Sequence, residues 1–276
     1  MNDGIGKPIQ VMTLRDYLFE NPKLTYQNNI FYQKDLARNN SFEEVYLKLR
    51  AKENRVHSDD TVRNLPEINH DHPNRREWAM RKKTLKILYS FLSTGSKTNI
   101  LELGCGNGWL SYNLARSLNA NLCAVDVNEK ELLQGARVFS DQKNLCFAYA
   151  NIFDAIFQPN KFDAIILGSS IQYFKNLKEL FATLFDLIKS SGTIYIADSP
   201  FYATPEKADA GKKRSRDYFD ALGFPEMASQ YFHHTFNDLK TFNYQIVYHP
   251  RSITAVIKRK ILQIPLSVFP VIAVKK

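Results

Sequence analysis

The 276-residue chain, 44% hydrophobic and 24% charged, is long enough to bury a large core as one extended domain or as one domain with a cap. It holds no apolar run long enough to span a bilayer, and Met1 to Gln10 lacks the basic start and apolar stretch of a secretion signal, so a soluble cytoplasmic protein is expected. The formal charge of +9 is uneven: residues 1–98 carry 17 basic and 12 acidic side chains, residues 99–204 carry 8 and 10, and residues 205–276 carry 12 and 6, so basic flanks frame a slightly acidic centre.

The first part of the chain, residues 1–97, reads as a polar, helical extension or cap. Helix starts are marked at Ser41 with Glu44 three residues on, at Ser58, and at Asn74 with Glu77 three residues on. From Asn74, Trp78, Leu85, Leu88 and Leu92 recur on one helical face, as expected for core packing. Upstream, Tyr46-Leu-Lys-Leu-Arg50 and Lys52-Glu-Asn-Arg55 predict a basic helix that either folds over a site as a lid or is simply solvated. His70-Asp-His72 resembles a metal pair, but no further ligand follows at a recognisable spacing, so no metal is expected.

Residues 98–276 form the second part, which opens on the most informative passage. Ile100, Leu101 and Leu103 make a short apolar strand, Gly104, Gly106 and Gly108 alternate through a turn, and Trp109, Leu110, Leu114 and Ala115 begin a helical stripe. Glycines let a ligand lie against bare peptide, and amides at the helix start favour a carboxylate or phosphate. The dinucleotide frame Gly-x-Gly-x-x-Gly fails, because its sixth position is Trp109 from Gly104 and Ser111 from Gly106. The frame that fits is Glu102-x-Gly104-x-Gly106-x-Gly108.

Next comes the apolar run Asn121-Leu-Cys-Ala-Val-Asp126, whose terminal carboxylate can accept ribose hydroxyls or cap the helix predicted from Glu129 to Phe139. Further strands are expected at 145–150 (before Asn151 and Ile152), at 162–168 (before Ser169) and at 193–198 after a reverse turn at Ser191-Gly192. Tyr244 to Tyr248, a helix from about Ile253 to Leu262, and Phe269 to Val274 close the chain. Strands alternating with helices imply a parallel sheet with right-handed crossovers and a ligand beyond the strands' carboxyl ends. Cys105, Cys123 and Cys146 are odd in number and lie in or beside strands, so they are expected as buried packing residues.

These landmarks, in this order over roughly residues 85–202, resemble the motifs of the class I S-adenosylmethionine-dependent methyltransferases. The resemblance implies a Rossmann-like, doubly wound α/β fold of seven mostly parallel strands with the seventh antiparallel. It implies S-adenosylmethionine as cofactor, held by Glu102, Gly104, Cys105, Gly106, Asn107, Gly108, Asp126, Val127, Asn151, Ile152, Gly168 and Ser169. Asn151 departs from the family's more usual Asp but can still accept and donate, and it also suits turn chemistry. In the family a helix before the first strand covers the cofactor, which brings Trp78 and Arg81 toward the ligand.

The resemblance leaves the methyl acceptor open. Tyr173, Asp198, Tyr202 and the pair His233-His234 are the acceptor-side candidates, with His233, Tyr202 and Tyr173 taken as catalytic, since histidine is the natural base near neutral pH. After the fourth strand the chain reads Gly168-Ser-Ser-Ile-Gln-Tyr173 in place of the Asn/Asp-Pro-Pro-aromatic motif of base methylases, and no Pro-Cys nucleophile appears. A small-molecule or lipid-like O or N acceptor is therefore expected. The runs Lys212-Lys-Arg-Ser-Arg216 and Lys258-Arg-Lys260 suit an anionic acceptor or a solvated face, and nucleic acid is disfavoured for want of an aromatic-and-basic signature. The alternatives are a nicotinamide oxidoreductase and a methyltransferase-fold protein that binds without turnover.

Overall fold

The computed structural model describes residue 19 and residues 23–34, 36, 40–95, 98–261 and 266–276. Met1 to Gln10, the Ser41 side chain, the Lys258-Arg-Lys260 side chains and Leu262, which figure in the expectations above, lie outside the described residues. The described strands form one sheet: β1 (Leu24–Gln27), β2 (Ile30–Gln33), β3 (Asn99–Leu103), β4 (Asn121–Asp126), β5 (Leu145–Tyr149), β6 (Phe162–Gly168), β7 (Ile188–Ala197), β8 (Asn243–Tyr248) and β9 (Val271–Lys275). Their order is β1-β2-β5-β4-β3-β6-β7-β9-β8. Helices α1 (Asn40–Lys52), α2 (Asp59–Asn64), α3 (Arg75–Leu92), α4 (Trp109–Ser117), α5 (Glu129–Val138), α6 (Leu177–Leu187), α7 (Pro205–Leu222) and α8 (Ile253–Lys260) connect and cover them.

The central strands run parallel, with Leu101 opposite Cys123 on one side and Ile165 on the other, while β9 lies antiparallel between β7 and β8. Every residue of β3 and β5 is buried, the polar Asn99 and Glu102 of β3 included, so neither strand shows the apolar-polar alternation of a one-sided sheet. On one face α6 sets Leu180, Phe181 and Leu184 against Ile165 and Leu167 of β6. On the other, Leu88 and Leu92 of α3, Leu110 and Leu114 of α4, and Leu132 of α5 pack over Ile100, Leu122 and Ile166. Cys105, Cys123 and Cys146 are buried free thiols, as expected.

Two expectations are corrected. The sheet has nine strands among the described residues, not seven, because the segment expected to be a helical extension supplies the hairpin β1–β2, and β2 pairs parallel with β5 through Phe31 and Ala148. The signal was local: Asn28 and Asn29 sit at φ +52° and +62°, the two left-handed residues of a tight hairpin turn, between aromatic-rich runs. Strand β7 begins at Ile188 rather than at the expected Thr193, with a register irregularity opposite Phe162–Ala164, so Ser191-Gly192 lies within a strand. Asn74 precedes α3 but makes no side-chain cap; its amide donates instead to the Glu53 and Asn54 carbonyls, tying α3 to the end of α1.

A third, smaller cluster of Leu49, Phe219 and Met227, joined by Phe42, Tyr46 and Tyr231, pins α1 to α7. Helix α7 starts on a Thr204 cap with Pro205 behind it and ends on Gly223 at φ +85°, so its length is written in its termini. Lys212, Lys213, Arg214 and Arg216 lie on its exposed face.

Phe31 is fully buried between Phe19, 5.0 Å away, and Tyr26, 4.7 Å away. Replacing it with alanine is expected to cost about 3–5 kcal/mol in denaturant unfolding. A loss under about 1 kcal/mol would mean that the hairpin adds nothing to the main core.

Candidate active site

The carboxyl ends of β3 to β7 open into a cavity of about 550 Å³, roofed by α1 and walled on one side by α3. Of the predicted cofactor residues, Glu102, Gly104, Cys105, Gly106, Asn107, Asp126, Val127, Asn151, Ile152, Gly168 and Ser169 all line it; Gly108 lies just behind, where a Cβ would meet the Phe147 ring at 2.5 Å. Gly104 is held at φ +74°, and a Cβ there would fall 2.4 Å from that of Ser170. Strands β6 and β7 both pass directly into a non-glycine residue at positive φ, Ser169 and Asp198, and both line the cavity.

The glycine turn is fixed from within. Gly104 and Cys105 donate their amides to the Val125 carbonyl (2.8 and 3.1 Å), Gly108 donates to the Cys105 carbonyl (2.9 Å), and Gly106 donates to Asp126 Oδ2 (2.7 Å). The expected bare anion cradle is thus largely engaged by the protein itself. Asp126 Oδ1 accepts from the Val127 and Asn128 amides (2.8 and 2.9 Å), and Asn128, not Asp126, caps α5 by accepting from Glu131 N at 3.1 Å. Asn151 does perform turn chemistry, accepting from the Phe153 amide at 3.2 Å, while lining the cavity. Val127, 50% exposed, and Phe153, 39% exposed, add apolar surface to the cavity wall.

Three carboxyl groups crowd this end, Glu102 buried and Asp126 and Glu131 half-buried. Burial pushes Glu102 up to about 8, against the two hydrogen bonds Ser111 donates from its amide and hydroxyl. Burial, with Asp126 beside it, pushes Glu131 up to about 7. Asp126 is also raised by burial, which its three amide donors oppose.

The opposite side is basic. Arg50 donates to Glu53 (3.2 Å) and to the Tyr46 hydroxyl (2.8 Å); Arg55 donates to Glu53 (3.1 Å) and Glu77 (2.7 Å); Arg81 donates to Glu77 (3.0 Å) and reaches Ser169 Oγ at 3.4 Å. Burial works against Glu77, yet Arg81 and Arg55 hold it below the usual carboxylate range, so it stays ionised. The lid expected from Tyr46 to Arg55 therefore lies over the cavity, with Tyr46, Arg50 and Arg55 in its wall, and Trp78 and Arg81 approach it from α3.

The three expected catalytic residues separate. Tyr173 lines the cavity, as does Asp198, whose Oδ1 accepts from Thr84 (2.8 Å) and Ser267 (3.1 Å). Tyr202 and His233 are not in its wall. The Tyr202 hydroxyl end is packed against Gly211 of α7, and His233 shares a 2.9 Å hydrogen bond with Ser215 on the same helix. His234 is buried with Nε2 3.3 Å from the Ile171 carbonyl. Sequence reading missed Glu131 and His57, which both line the cavity; Glu131 had a signal, since Asn128-x-x-Glu131 is a cap spacing, whereas His57 had none. His70 and Asp71 hydrogen-bond each other on the surface, and among the described residues no three His, Cys, Asp or Glu side chains converge for a metal.

Strand order β5-β4-β3-β6-β7-β9-β8, with the cavity at the parallel strands' carboxyl ends, defines a Rossmann-like nucleotide-type fold. Residues 94–245 match the family model described as "Methyltransferase domain", and the chain belongs to that family, the class I S-adenosylmethionine-dependent methyltransferases. Malonyl-[acyl-carrier protein] O-methyltransferase of Bacillus anthracis is 26% identical over 132 residues, 48% of each chain, and phosphoethanolamine N-methyltransferase 1 of Arabidopsis thaliana is 24% identical over 140 residues, 49% of this chain and 28% of that protein. The chain spans about half the length, or less, of the curated relatives it matches. Among solved structures, phosphoethanolamine N-methyltransferase 2 of Haemonchus contortus in complex with S-adenosyl-L-methionine shares the fold at TM-score 0.54 and 15% identity, covering 89% of this chain and 61% of that one. Geranyl diphosphate C-methyltransferase of Streptomyces coelicolor A3(2) does so at 0.51 and 13%, covering 75% and 84%.

Glu102 generates a pH prediction. Its folded pKa of about 8 exceeds the ordinary 4.5, so its contribution to stability is full below about pH 4.5 and is lost as pH rises through about 8. Glu102→Gln should flatten the fall in thermal stability of the ligand-free protein between about pH 5 and about pH 8. A melting profile as steep as that of the unmodified protein would show that Glu102 ionises normally.

Proposed function

We propose that this chain transfers the methyl group of S-adenosylmethionine to an oxygen or nitrogen of a small-molecule acceptor held under α1. The observation that carries this reading is one continuous cavity joining the Glu102–Gly108 turn, Asp126 and Asn151 to the ends of β6 and β7. The residue types lining the cavity support the cofactor: Asp126 can accept ribose hydroxyls, Asn151 with Val127 and Phe153 in the same wall suits the adenine, and Arg81, 3.4 Å from Ser169 Oγ, suits a carboxylate. When bound, S-adenosylmethionine supplies a methyl group already activated on a sulfonium, so no metal or covalent intermediate is required.

What the protein adds is alignment and exclusion of water. Helix α1, held down by the Leu49–Phe219 cluster and by Glu43, which accepts the Lys130 amide at 3.0 Å, covers the cavity from above. Of the sequence-predicted catalytic candidates, Tyr173, from the loop after β6, lines the cavity. Its phenol is kept protonated by burial, which suits a hydrogen-bond donor to the acceptor better than a base. Oxygen and nitrogen acceptors both appear in the names of the relatives, malonyl-[acyl-carrier protein] O- and phosphoethanolamine N-methyltransferase, and either is compatible with a site built on alignment. The dinucleotide alternative has lost its support, since residues 94–245 match the methyltransferase family model.

Calorimetric titration with S-adenosylhomocysteine tests the cofactor half of the reading. Asp126→Ala is expected to weaken binding by about 1–3 kcal/mol, the cost of leaving hydrogen-bonding groups unpaired. Unchanged affinity would remove Asp126 from the site.

A further inference from the structure

The lid side of the cavity holds more hydrogen-bond donors than the protein satisfies. Arg50, largely buried, lies 4.7 Å over the Tyr46 ring and uses one donor on the Tyr46 hydroxyl and one on Glu53. A guanidinium has five N–H donors, so three are left without an acceptor among the described residues. Arg55 adds a buried Nε with no partner. The Tyr173 ring is wedged edge-on between Tyr46, 6.1 Å away, and Tyr231, 5.8 Å away, and its hydroxyl has no hydrogen-bond partner among the described residues. Burial raises the pKa of both Tyr46 and Tyr173, so both phenols remain donors across the physiological range. Arg55 Nε is the buried donor of this group that is left unpaired among the described residues; the uncommitted donors of Arg50 and Tyr173 belong to side chains that line the cavity, where a ligand rich in acceptors can take them.

Charge points the same way. Glu53 is shared by Arg50, Arg55 and the Tyr218 hydroxyl, and Glu77 by Arg55 and Arg81, so three guanidiniums face two carboxylates in this network. Across the cavity Asp126, Glu131 and Glu43 are acidic; Glu131 attracts Arg50 through space but takes its hydrogen bond from Asn128, and Glu43 accepts from the Lys130 amide. The exposed basic run Lys212–Arg216 cannot serve this purpose, because it faces solvent on α7. We propose that Arg50, Arg55, Tyr46 and Tyr173 form a subsite for an oxyanion, a carboxylate or a phosphate, carried by the methyl acceptor; this rests on the methyltransferase reading above. A planar guanidinium beside phenol donors matches the paired oxygens of either group.

The test is calorimetric titration of the protein loaded with S-adenosylhomocysteine, using inorganic phosphate in one arm and malonate in the other. At least one anion should bind. Arg50→Gln should weaken that binding by about tenfold or more and Tyr173→Phe by about threefold, with Arg50→Lys intermediate because it keeps the charge but loses the fork. A response to phosphate alone assigns a phosphate, and a response to malonate alone a carboxylate. Failure of both anions to bind the loaded protein, or binding that is unchanged in Arg50→Gln and Tyr173→Phe, overturns the subsite. So does a loss of S-adenosylhomocysteine affinity in Arg50→Gln, which would give the guanidinium to the cofactor instead. Should Arg50→Gln fail to fold, Tyr173→Phe decides by the same criterion. Absence of S-adenosylhomocysteine binding by the unmodified protein would be seen in the loading step and would overturn the methyltransferase reading itself.

Discussion

The hydrogen bond from the Gly106 amide to the Asp126 carboxylate, 2.7 Å long, couples the glycine turn to the end of the neighbouring strand. With the two amides that turn back to Val125, it fixes the path of the chain from β3 into α4 without any ligand. Glu102 does the equivalent work one layer deeper, anchoring Ser111 in the first turn of α4. A turn held this way is pre-organised, and the cost appears elsewhere: Glu102, Asp126 and Glu131 are all raised by burial. Carboxyl groups crowded into one cavity are relieved by a cation, which agrees with a sulfonium cofactor more naturally than with a second anion placed at the same end.

The other half of the site is built from the chain before β3. Helix α1 is bound on one flank by the Leu49–Phe219–Met227 cluster and on the other by the Arg50–Glu53–Arg55–Glu77–Arg81 network, which joins it to α3. The cavity is therefore acidic along β4–α5 and donor-rich along α1. This polarity divides the space between the two parties that the proposed reaction must align; its basic side is made of local pairs such as Arg50 with Glu53, tied to α3 by Arg55 with Glu77, 22 positions on.

How much of this was legible in the sequence depends on how local the cause was. The bounds of β3, β4 and β6 follow from apolar runs that end in glycine or acidic residues, and those strands lie where the sequence set them. The glycine turn, Asp126 and Asn151 are adjacent in space because successive parallel strands deliver their carboxyl ends to one edge. The hairpin at Asn28-Asn29 was missed because its outer strand alternates little, with three exposed residues after Leu24. His233 and Tyr202 looked catalytic by residue type alone, but α7 packs onto both. The Arg50 environment could be read only as a basic helix, since its partners Glu53 and Tyr46 lie within reach on a helix but Tyr173 arrives from another loop.

The most direct measurement is a crystal structure of the protein with S-adenosylhomocysteine. The account predicts density along the carboxyl ends of β3, β4 and β5, with the ribose against Asp126, the adenine between Val127 and Phe153, and the thioether facing Tyr173. A ligand bound elsewhere, or one whose ribose makes no contact with Asp126, would contradict it.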